Sequence, residues 1–488
     1  MKRLRIALDP ELVNDYGPEV HWTWRYLLAG IGWAWEEVPL QADTDIVWTT
    51  HPEQTASSRL VIRANPRAWR QPSAYRLSEV GSESGLAYPR YLGEKQAQAL
   101  VWMDNGRLLC QRDLAFDVFW LLTGQEEARY PRLRHGFLDL SGSPYLSERV
   151  LRQALASRIA AFLERSLADL GHQPPIPRWP GGNRAAAAVG HDVDYPQVIR
   201  WLEPLRILKR LGQRFARPAF EVLSGRRTHW HFASWMAYEA ELGVRSAFYF
   251  ASRKGSLLSY ALGRPDPFYD VSRQNFRQVL HYLDSEGFEI GLHASYLAYR
   301  DGSWLMAEKQ CLEEASGRSV AGVRHHYWHL DSNDPEHTLS LHERVGFKYD
   351  SSLIHDRCLG WRRGSTWPFY PFHQAERREM GTLQISIAWM DDQLFRLRSS
   401  NPGEPLEQLY GLADRVVEQG GCLLVDVHDY VYDEVLFPSW RATYRCLWEY
   451  LASLGGVWFA TPFQIANHWS SRYTRLRKAS HGLALGIH

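Results

Sequence analysis

Short apolar runs alternate with longer amphipathic stretches in the part of the chain that follows Asn183. Short apolar runs indicate buried strands, and apolar positions three to four residues apart indicate helices. The predicted strands are 186–193, 246–250, 288–293, 320–327, 383–390, 422–428 and 457–461. The helices between them include 274–286, 304–315, 405–419 and 440–454. This alternation predicts parallel strands joined by right-handed crossovers, so we expect an α/β fold whose sheet curves into an imperfect barrel.

The first part of the chain predicts a smaller α/β unit. Its predicted elements are a strand at Lys2–Leu8, a helix near His21–Gly32, a strand at Asp45–Thr50, a hairpin turning at Asp104-Asn105-Gly106 and a helix capped by Asp113. No group of residues with evident chemistry occurs there. We therefore expect this unit to be an accessory domain.

A connector is expected between the two parts. A predicted helix at Ser147–Leu170 precedes the Pro- and Gly-rich stretch GHQPPIPRWPGGN, and such stretches often separate domains. At 488 residues, the chain is also longer than single cores usually grow. The expected division is an N-terminal α/β domain at 1–135, a helical connector and linker at 136–183, and the barrel at 184–488.

Charge and composition exclude several classes of partner. Lys plus Arg (56) nearly equals Asp plus Glu (55), so the chain has no overall attraction for nucleic acid or an anionic membrane surface. The opening apolar run stops at Asp9, too early for a signal peptide, and no later run has the length of a membrane span. The five cysteines are scattered and lack a CxxC pair, which argues against a disulfide framework. We expect a cytoplasmic protein without membrane insertion.

The stretch AAAAVGHDVDYP, from Ala185 to Pro196, is the strongest chemical signal. A buried strand runs directly into His191, Asp192 and Asp194, and the carboxyl ends of parallel strands are where ligands bind in α/β folds. In an extended chain, the two carboxylates point to the same side. Like charges this close repel unless a cation lies between them or one carboxylate takes up a proton. The alternative is that the two Asp residues cap the next helix.

The HDVD motif after an apolar strand resembles the first motif of the polysaccharide deacetylases of the NodB-like carbohydrate esterase group. The resemblance covers roughly residues 184–469. It implies a distorted (β/α)7 barrel in which the first Asp of the motif, Asp192, is the general base and the second, Asp194, binds a divalent metal. The N-terminal part resembles the domain found ahead of some bacterial deacetylase-like proteins.

Other predicted strands of the barrel also end in polar residues. These residues are His293 after FEIGL, Arg324, His325 and His326 after VAGV, and Asp426, His428 and Asp429 after CLLV. Imidazole and carboxylate groups together suit zinc or another first-row divalent ion. The alternative is that these histidines are structural groups at the rim of the barrel.

The sequence departs from the family pattern at Leu297. The family's second motif has two metal-binding histidines separated by three residues, and Leu297 stands where the second would follow His293. We expect His326 to be the third ligand. If Arg324 points inward towards Asp192, alternation along the strand sends His326 the same way and His325 outward.

The resemblance also implies roles for the remaining residues. Arg324 has the position of the family's arginine that orients the base, and a rim salt bridge is the alternative. His428 matches the family's late histidine, which protonates the departing amine. Asp426 and Asp429 are both candidates to orient His428, and a purely structural role for His428 is the alternative.

Three functions remain open. The first is a metal-dependent hydrolase, with zinc as the expected ion, that removes an N-acetyl group from a sugar or polysaccharide precursor. The second is hydrolysis of another linear or cyclic amide on the same fold, and the third is a non-catalytic carbohydrate-binding homologue. The substrate is thus expected to be a carbohydrate or another small amide.

The other histidine clusters are expected to have no role in the site. His229-Trp230-His231 has a metal-binding spacing, but it precedes a predicted helix rather than following a buried strand, so we interpret it as a loop. His329, His337 and His342 flank a predicted helix and are expected to be exposed.

Overall fold

The computed structural model describes residues 2–55, 58–95, 99–396 and 404–480. The strands are β1 (Arg3–Leu8), β2 (Ala34–Glu37), β3 (Ile46–Thr49), β4 (Leu60–Arg63), β5 (Leu77–Glu83), β6 (Leu86–Tyr91), β7 (Val101–Asp104), β8 (Arg107–Cys110), β9 (Ala185–Val193), β10 (Ala247–Phe250), β11 (Glu289–Ala294), β12 (Gly322–His325), β13 (Tyr349–Asp350), β14 (Phe372–His373), β15 (Arg378–Glu379), β16 (Leu383–Gln384), β17 (Ile387–Met390), β18 (Cys422–Asp426) and β19 (Val457–Phe459).

The α-helices lie between and after these strands. They are α1 (Pro10–Gly30), α2 (Pro66–Arg70), α3 (Leu114–Leu122), α4 (Pro144–Ser147), α5 (Val150–Gln153), α6 (Leu155–Asp169), α7 (Glu203–Leu211), α8 (Ala216–Leu223), α9 (Phe232–Glu241), α10 (Leu257–Ala261), α11 (Gln274–Ser285), α12 (Gly302–Ser316), α13 (Pro335–Val345), α14 (Asp391–Arg396), α15 (Glu404–Gln419), α16 (Trp440–Ser453) and α17 (Pro462–Ala479). Among the helices that the structure describes, none is both long enough and apolar enough to cross a lipid bilayer.

The N-terminal unit is built on a six-stranded sheet with the order β2-β1-β3-β4-β8-β7. All neighbours are parallel except β7, which forms an antiparallel hairpin with β8. The hairpin turns at Asn105 and Gly106, whose φ angles of 50° and 78° suit a two-residue turn with left-handed backbone. Asp113 caps α3 by accepting a hydrogen bond from the backbone N–H of Phe116. The predicted hairpin and capped helix are therefore confirmed.

Two N-terminal helices differ from the prediction. Helix α1 begins at Pro10 rather than near His21, because the Asp9 side chain accepts hydrogen bonds from the first backbone N–H groups of the helix. The single helix predicted at 147–170 is instead three helices, α4, α5 and α6. It is interrupted at Arg149 and Ala154, whose φ angles of 50° and 48° are left-handed and cannot continue an α-helix.

The larger unit is a parallel sheet with the order β16-β13-β12-β11-β10-β9-β18-β17. Strands β16 and β17 are successive halves of the predicted strand 383–390, and they pair with β13 and β18 respectively. The sheet therefore curls back on itself as a distorted barrel, which confirms the predicted fold class. Strand β13 was not predicted, because two residues carry no readable periodicity. Strand β19 pairs with Ala185–Ala187, alongside the first half of β9.

The two units share one hydrophobic core, which contains residues from α1, α3 and α6 as well as from β9, β16 and α17. Polar contacts cross the same boundary: Trp22 Nε1 donates to the carbonyl oxygen of Tyr370 (2.9 Å), and Tyr26 Oη lies 2.8 Å from Ser365 Oγ. The C-terminal helix α17 contacts α1 and β2. The division at 135 and 183 stays a prediction, and the two units are joined by far more than a flexible linker.

Candidate active site

Strand β9 brings the HDVD motif to the mouth of the barrel. All nine residues of β9 are buried, as expected for a strand covered on both faces. His293 Nε2 lies 3.7 Å from Asp192 Oδ2 and 3.3 Å from Asp194 Oδ1, so both carboxylates face the same imidazole. His191 points to the other side, where Nε2 lies 2.8 Å from Glu239 Oε1. The next helix begins only at Glu203, so the alternative of a helix-capping pair is wrong.

Asp194, His293 and His326 form a buried cluster whose potential ligand atoms all lie within 4.8 Å of one another. Asp194 Oδ1 is 3.3 Å from His293 Nε2 and 3.7 Å from His326 Nε2. Asp194 Oδ1 and His293 Nε2 are buried and have no hydrogen-bond partner within the described part of the chain. Unpaired buried polar atoms are costly, so their convergence favours a cation between them.

In both imidazoles, Nδ1 faces a protein oxygen, so Nε2 is available as a ligand. His293 Nδ1 lies 3.1 Å from the carbonyl oxygen of Arg324, which can only accept, so Nδ1 carries the proton. His326 Nδ1 lies 3.5 Å from Asp266 Oδ1, a carboxylate of the kind that often orients a metal-binding histidine. Burial lowers the pKa of His326, but Asp194 and Asp266 raise it to about 9. Binding of a cation would therefore displace a proton from His326.

His325 faces away from this cluster. Its Nε2 lies 2.8 Å from Nε2 of His342, and both side chains are completely buried. Burial and the neighbouring His342 lower the pKa of His325 well below its usual value. The expectation that His329 and His342 are exposed is wrong: His342 lies on the inner face of α13, and His329 is buried against Tyr296.

Arg324 holds Asp192 in the ionised form. The guanidinium is fully buried, and its Nη1 lies 2.7 Å from Asp192 Oδ1 and 2.9 Å from Asp426 Oδ1. Burial raises the pKa of Asp192, but Arg324 and His293 lower it below its usual value. A Cβ atom at Gly190 would lie only 2.6 Å from Arg324 Nη2, so glycine at this position makes the close approach possible.

His428 is oriented by Asp391, a residue that the sequence reasoning missed. His428 Nδ1 lies 3.0 Å from each carboxylate oxygen of Asp391, and the His428 backbone N–H donates to Asp391 Oδ2 (2.7 Å). Burial lowers the pKa of His428, but Asp391 and Asp194 raise it well above its usual value. Asp391 directly follows β17, so the same search of strand ends that found His428 could have found it.

The two candidates for orienting His428 have other partners. Asp426 accepts a hydrogen bond from Trp328 Nε1 (3.1 Å) and pairs with Arg324. Asp429 is completely buried, and its main-chain oxygen accepts a hydrogen bond from Trp235 Nε1 (2.8 Å). Within the described part of the chain, neither carboxylate forms a hydrogen bond with the His428 ring, whose Nδ1 is held by Asp391.

The remaining predictions concern residues outside the cluster. Leu297 lies in the turn after β11 and offers no ligand atom. His229-Trp230-His231 lies in the loop before α9, as predicted. His337 is partly exposed on α13, where its Nε2 lies 3.5 Å from the carbonyl oxygen of Arg300.

A cavity of about 740 Å³ opens over Asp192, Asp194, His293, His326 and His428. Part of its wall comes from the segment 133–137, which precedes the barrel in the sequence. Within this segment, the His135 ring stacks on Tyr327 with 4.2 Å between centroids, and His135 Nδ1 lies 2.9 Å from Tyr296 Oη. The site is thus completed by residues from the N-terminal half of the chain.

Known proteins resemble this chain only distantly. No family model matches the chain, and no curated protein matches it. Among solved structures, it is similar to a protein from Mycobacterium smegmatis assigned as a polysaccharide deacetylase, with 18% identity over 64% of this chain and 96% of that chain and a TM-score of 0.40. A protein from Pseudomonas aeruginosa PAO1 with the same assignment has 17% identity over 62% and 96%, with a TM-score of 0.41. Polysaccharide deacetylases are thus among its structural neighbours.

The structural neighbours also include another kind of enzyme. Puue allantoinase has 17% identity over 62% of this chain and 95% of that chain, with a TM-score of 0.42. Because the identities and scores are this low, they assign no substrate to the chain, and its function has to be argued from the chemistry of the site.

Proposed function

We propose that this protein is a metal-dependent amide hydrolase that removes an N-acetyl group from a sugar or a polysaccharide precursor. The observation that carries the proposal is the buried Asp194–His293–His326 cluster, which faces the same cavity as Asp192 and His428. A metal ligand set, a carboxylate and a protonated imidazole in one cavity are the groups that amide hydrolysis requires.

A divalent ion fits the donor atoms of the cluster. One carboxylate and two imidazoles are typical of a zinc site that keeps a position open for substrate or water, so zinc is the expected ion. Asp194, His293 and His326 would hold it. When bound, such an ion polarises the amide carbonyl and lowers the pKa of a water molecule.

Asp192 is proposed as the general base. The paired Arg324 guanidinium keeps Asp192 ionised near neutral pH, so the carboxylate can accept a proton from the attacking water. Only Oδ1 is held by Arg324, while Oδ2 faces His293 and the cavity. Arg324 thus positions one oxygen of the carboxylate and leaves the other for proton transfer.

His428 is proposed as the general acid. The pair with Asp391 keeps the imidazole protonated and fixes Nδ1, so Nε2 is the nitrogen that faces the cavity. Nε2 lies 3.6 Å from Asp194 Oδ2, on the opposite side of the ring from Asp391. From there it can give its proton to the nitrogen that leaves as the amine.

The walls of the cavity support a carbohydrate substrate. Aromatic rings of Tyr195, Tyr327, Trp328 and Tyr430 line it. Sugars present apolar C–H faces and polar edges, and amphipathic aromatic side chains suit both. Hydrolysis of another small amide would use the same catalytic groups. The identity of the released product therefore distinguishes removal of an acetyl group from hydrolysis of another amide.

Metal content and product analysis of the purified full-length protein test the proposal. We expect about one divalent ion per chain and release of acetate from N-acetylated sugars or chitin-type oligosaccharides. Asp192→Asn and His428→Gln should bind the ion but lose most of the turnover, whereas His325→Gln should retain both. Ring opening of a cyclic amide without acetate release would favour the alternative hydrolase. A metal-loaded protein that hydrolyses neither substrate class would refute catalysis.

A further inference from the structure

The N-terminal unit contains a second cavity, of about 860 Å³, that shares no lining residue with the first. It opens at the carboxyl ends of three neighbouring parallel strands, β3, β4 and β8. The residues that follow these strands line it: Thr50 after β3, Ala64 and Asn65 after β4, and Gln111 and Arg112 after β8. This edge of a parallel sheet is where α/β domains bind ligands.

The cavity lies beside the place in the sheet where successive strands change from one side of β1 to the other. Strand β2 pairs with one edge of β1, and β3 pairs with the other edge. The connections after β1 and β3 therefore leave the sheet in opposite directions, and a crevice forms between such connections. Asp9 already occupies the start of α1, where it accepts hydrogen bonds from the backbone N–H groups of Leu12 and Thr50. Because the Asp9 carboxylate takes these donors and repels negative charge, an anionic ligand would bind nearer to the end of β4 than to the end of β1.

Three exposed arginines line the β4 side of the cavity: Arg63, Arg67 and Arg70. Arg63 Nη1 donates to Gln111 Oε1 (2.9 Å). Within the described ranges, none of the three has a carboxylate at ion-pair distance. Exposed guanidinium groups that line one cavity without carboxylate partners suit phosphate recognition.

Three of the four acidic residues of the lining have ion-pair or hydrogen-bond partners within the described structure. Glu94 and Asp117 both pair with the buried Arg112, at 2.6 and 2.5 Å. Asp113 accepts hydrogen bonds from Trp48 Nε1 and Trp69 Nε1 as well as from backbone N–H groups. Among the described lining carboxylates, Glu11 and Asp113 have no cation at ion-pair distance, and Asp113 is buried. The four arginines and four acidic residues of the lining balance formally, but Arg112, Asp113 and Asp117 are buried. The exposed charges are therefore three arginines against Glu11 and Glu94, and Glu94 is paired with Arg112.

Aromatic rings form another part of the lining. Tyr75 packs edge-on against Tyr91 and Phe116, with ring centroids 5.0 and 5.1 Å apart. Tyr91 is fixed by its hydroxyl, which donates to Asp117 (2.9 Å). This wall offers a rigid apolar surface on which a ring can pack.

We propose that this cavity binds a small molecule in which a phosphate group is attached to a ring. Arg63, Arg67 and Arg70 contact the phosphate, and the wall of Tyr75, Tyr91 and Phe116 contacts the ring. A sugar phosphate and a nucleotide both have this chemistry. The site is independent of hydrolysis at the barrel and gives the N-terminal unit a binding function of its own.

Calorimetric titration of the full-length protein tests the site. The probes are glucose 1-phosphate and adenosine monophosphate, with glucose, adenosine and inorganic phosphate as matched references. We expect at least one phosphorylated probe to bind saturably and more tightly than its uncharged parent. Its affinity should fall as salt is raised, because the contact is ionic. The better probe distinguishes a sugar phosphate from a nucleotide.

Substitution of the arginines identifies the cavity. In the double variant Arg67→Gln/Arg70→Gln, the affinity for that probe should fall at least about tenfold, as expected for the loss of charged hydrogen bonds. Arg226→Gln, at an exposed arginine of the barrel unit, is the matched control and should bind as the wild type does. The single variant Arg63→Gln provides a second test should the double variant be unstable. Equal binding of phosphorylated and uncharged probes, or unchanged affinity in the arginine variants, would overturn the proposal.

Discussion

His428 Nδ1 lies 3.0 Å from both carboxylate oxygens of Asp391, and the backbone N–H of His428 donates to the same carboxylate. The two residues come from the ends of adjacent strands, β18 and β17. One carboxylate thus fixes both the position of the main chain and the protonation of the ring. In the proposed mechanism, this pair keeps His428 protonated as the acid, and the Arg324–Asp192 pair keeps Asp192 ionised as the base in the same cavity.

Substitution of Asp391 should reduce turnover without loss of metal. In Asp391→Asn, the imidazolium of His428 loses its carboxylate partner, so we expect kcat to fall about 10²-fold, the lower range for loss of an acid catalyst. Steady-state kinetics and metal analysis measure the two effects. Because Asp391 acts through His428, the double variant Asp391→Asn/His428→Gln should be no slower than His428→Gln alone. Additive losses would show that Asp391 has a separate role.

The proposed metal ligands can be distinguished experimentally from His325, which precedes His326 in the sequence. His326→Ala, His293→Ala and Asp194→Ala should each lose most of the bound ion, because a three-ligand site does not tolerate loss of a donor. His325→Ala is the matched control: it should be less stable, since it opens a space beside His342, but it should keep the ion. Metal analysis after gel filtration measures this. Loss of metal from His325→Ala but not from His326→Ala would reverse the assignment.

The cluster was predictable because two simple rules apply to it. Parallel strands end at one mouth, which brings Asp194 and His293 together. His325 ends β12 with extended backbone, and His326, which begins the following turn, still faces the opposite way from His325. The same rules apply to Asp391 at the end of β17, which was overlooked. Asp266 and His135 come from irregular segments, and no periodicity in the sequence indicates where such segments pack.

The errors in the fold have similar causes. The start of α1 carried a readable signal, an Asp9-Pro10 pair suited to a helix N-terminus, but the apolar pattern becomes clear only later. The helix breaks at Arg149 and Ala154 have no signal in the sequence, because neither residue type favours a left-handed backbone. His342 lies on a helix face that becomes the inner one only after α13 packs on the barrel.

His135 should contribute to substrate binding rather than to chemistry. Burial and the nearby Arg134 lower the pKa of His135 to about 4, so the ring is neutral at pH 7 and stacks on Tyr327 at the wall of the cavity. His135→Ala should raise KM about tenfold with kcat nearly unchanged, the pattern for a group that binds ground state and transition state equally. The partly exposed His337 provides the control variant, His337→Ala. A fall in kcat at constant KM would contradict this role.

Glu127 should stabilise the contact between the two units in a pH-dependent way. It belongs to the N-terminal part and pairs with Arg362 and Arg363 of the barrel, with Glu127 Oε2 2.5 Å from Arg362 Nη2. Burial raises the pKa of Glu127, but the two arginines lower it from 4.5 to about 2. This difference corresponds to about 3 kcal/mol of stability at neutral pH.

The sign of the pH dependence follows from the lowered pKa. The unfolded chain takes up the proton near pH 4.5 and the folded protein only near pH 2, so the contribution is complete above about pH 5 and is lost as the pH falls towards 2. Glu127→Gln should therefore lower the free energy of unfolding most at pH 7, with about two fifths of that effect left at pH 3. Urea denaturation at both pH values measures the difference, with the exposed Glu53→Gln as control. An equal loss at both pH values would show that Glu127 acts through packing instead of charge.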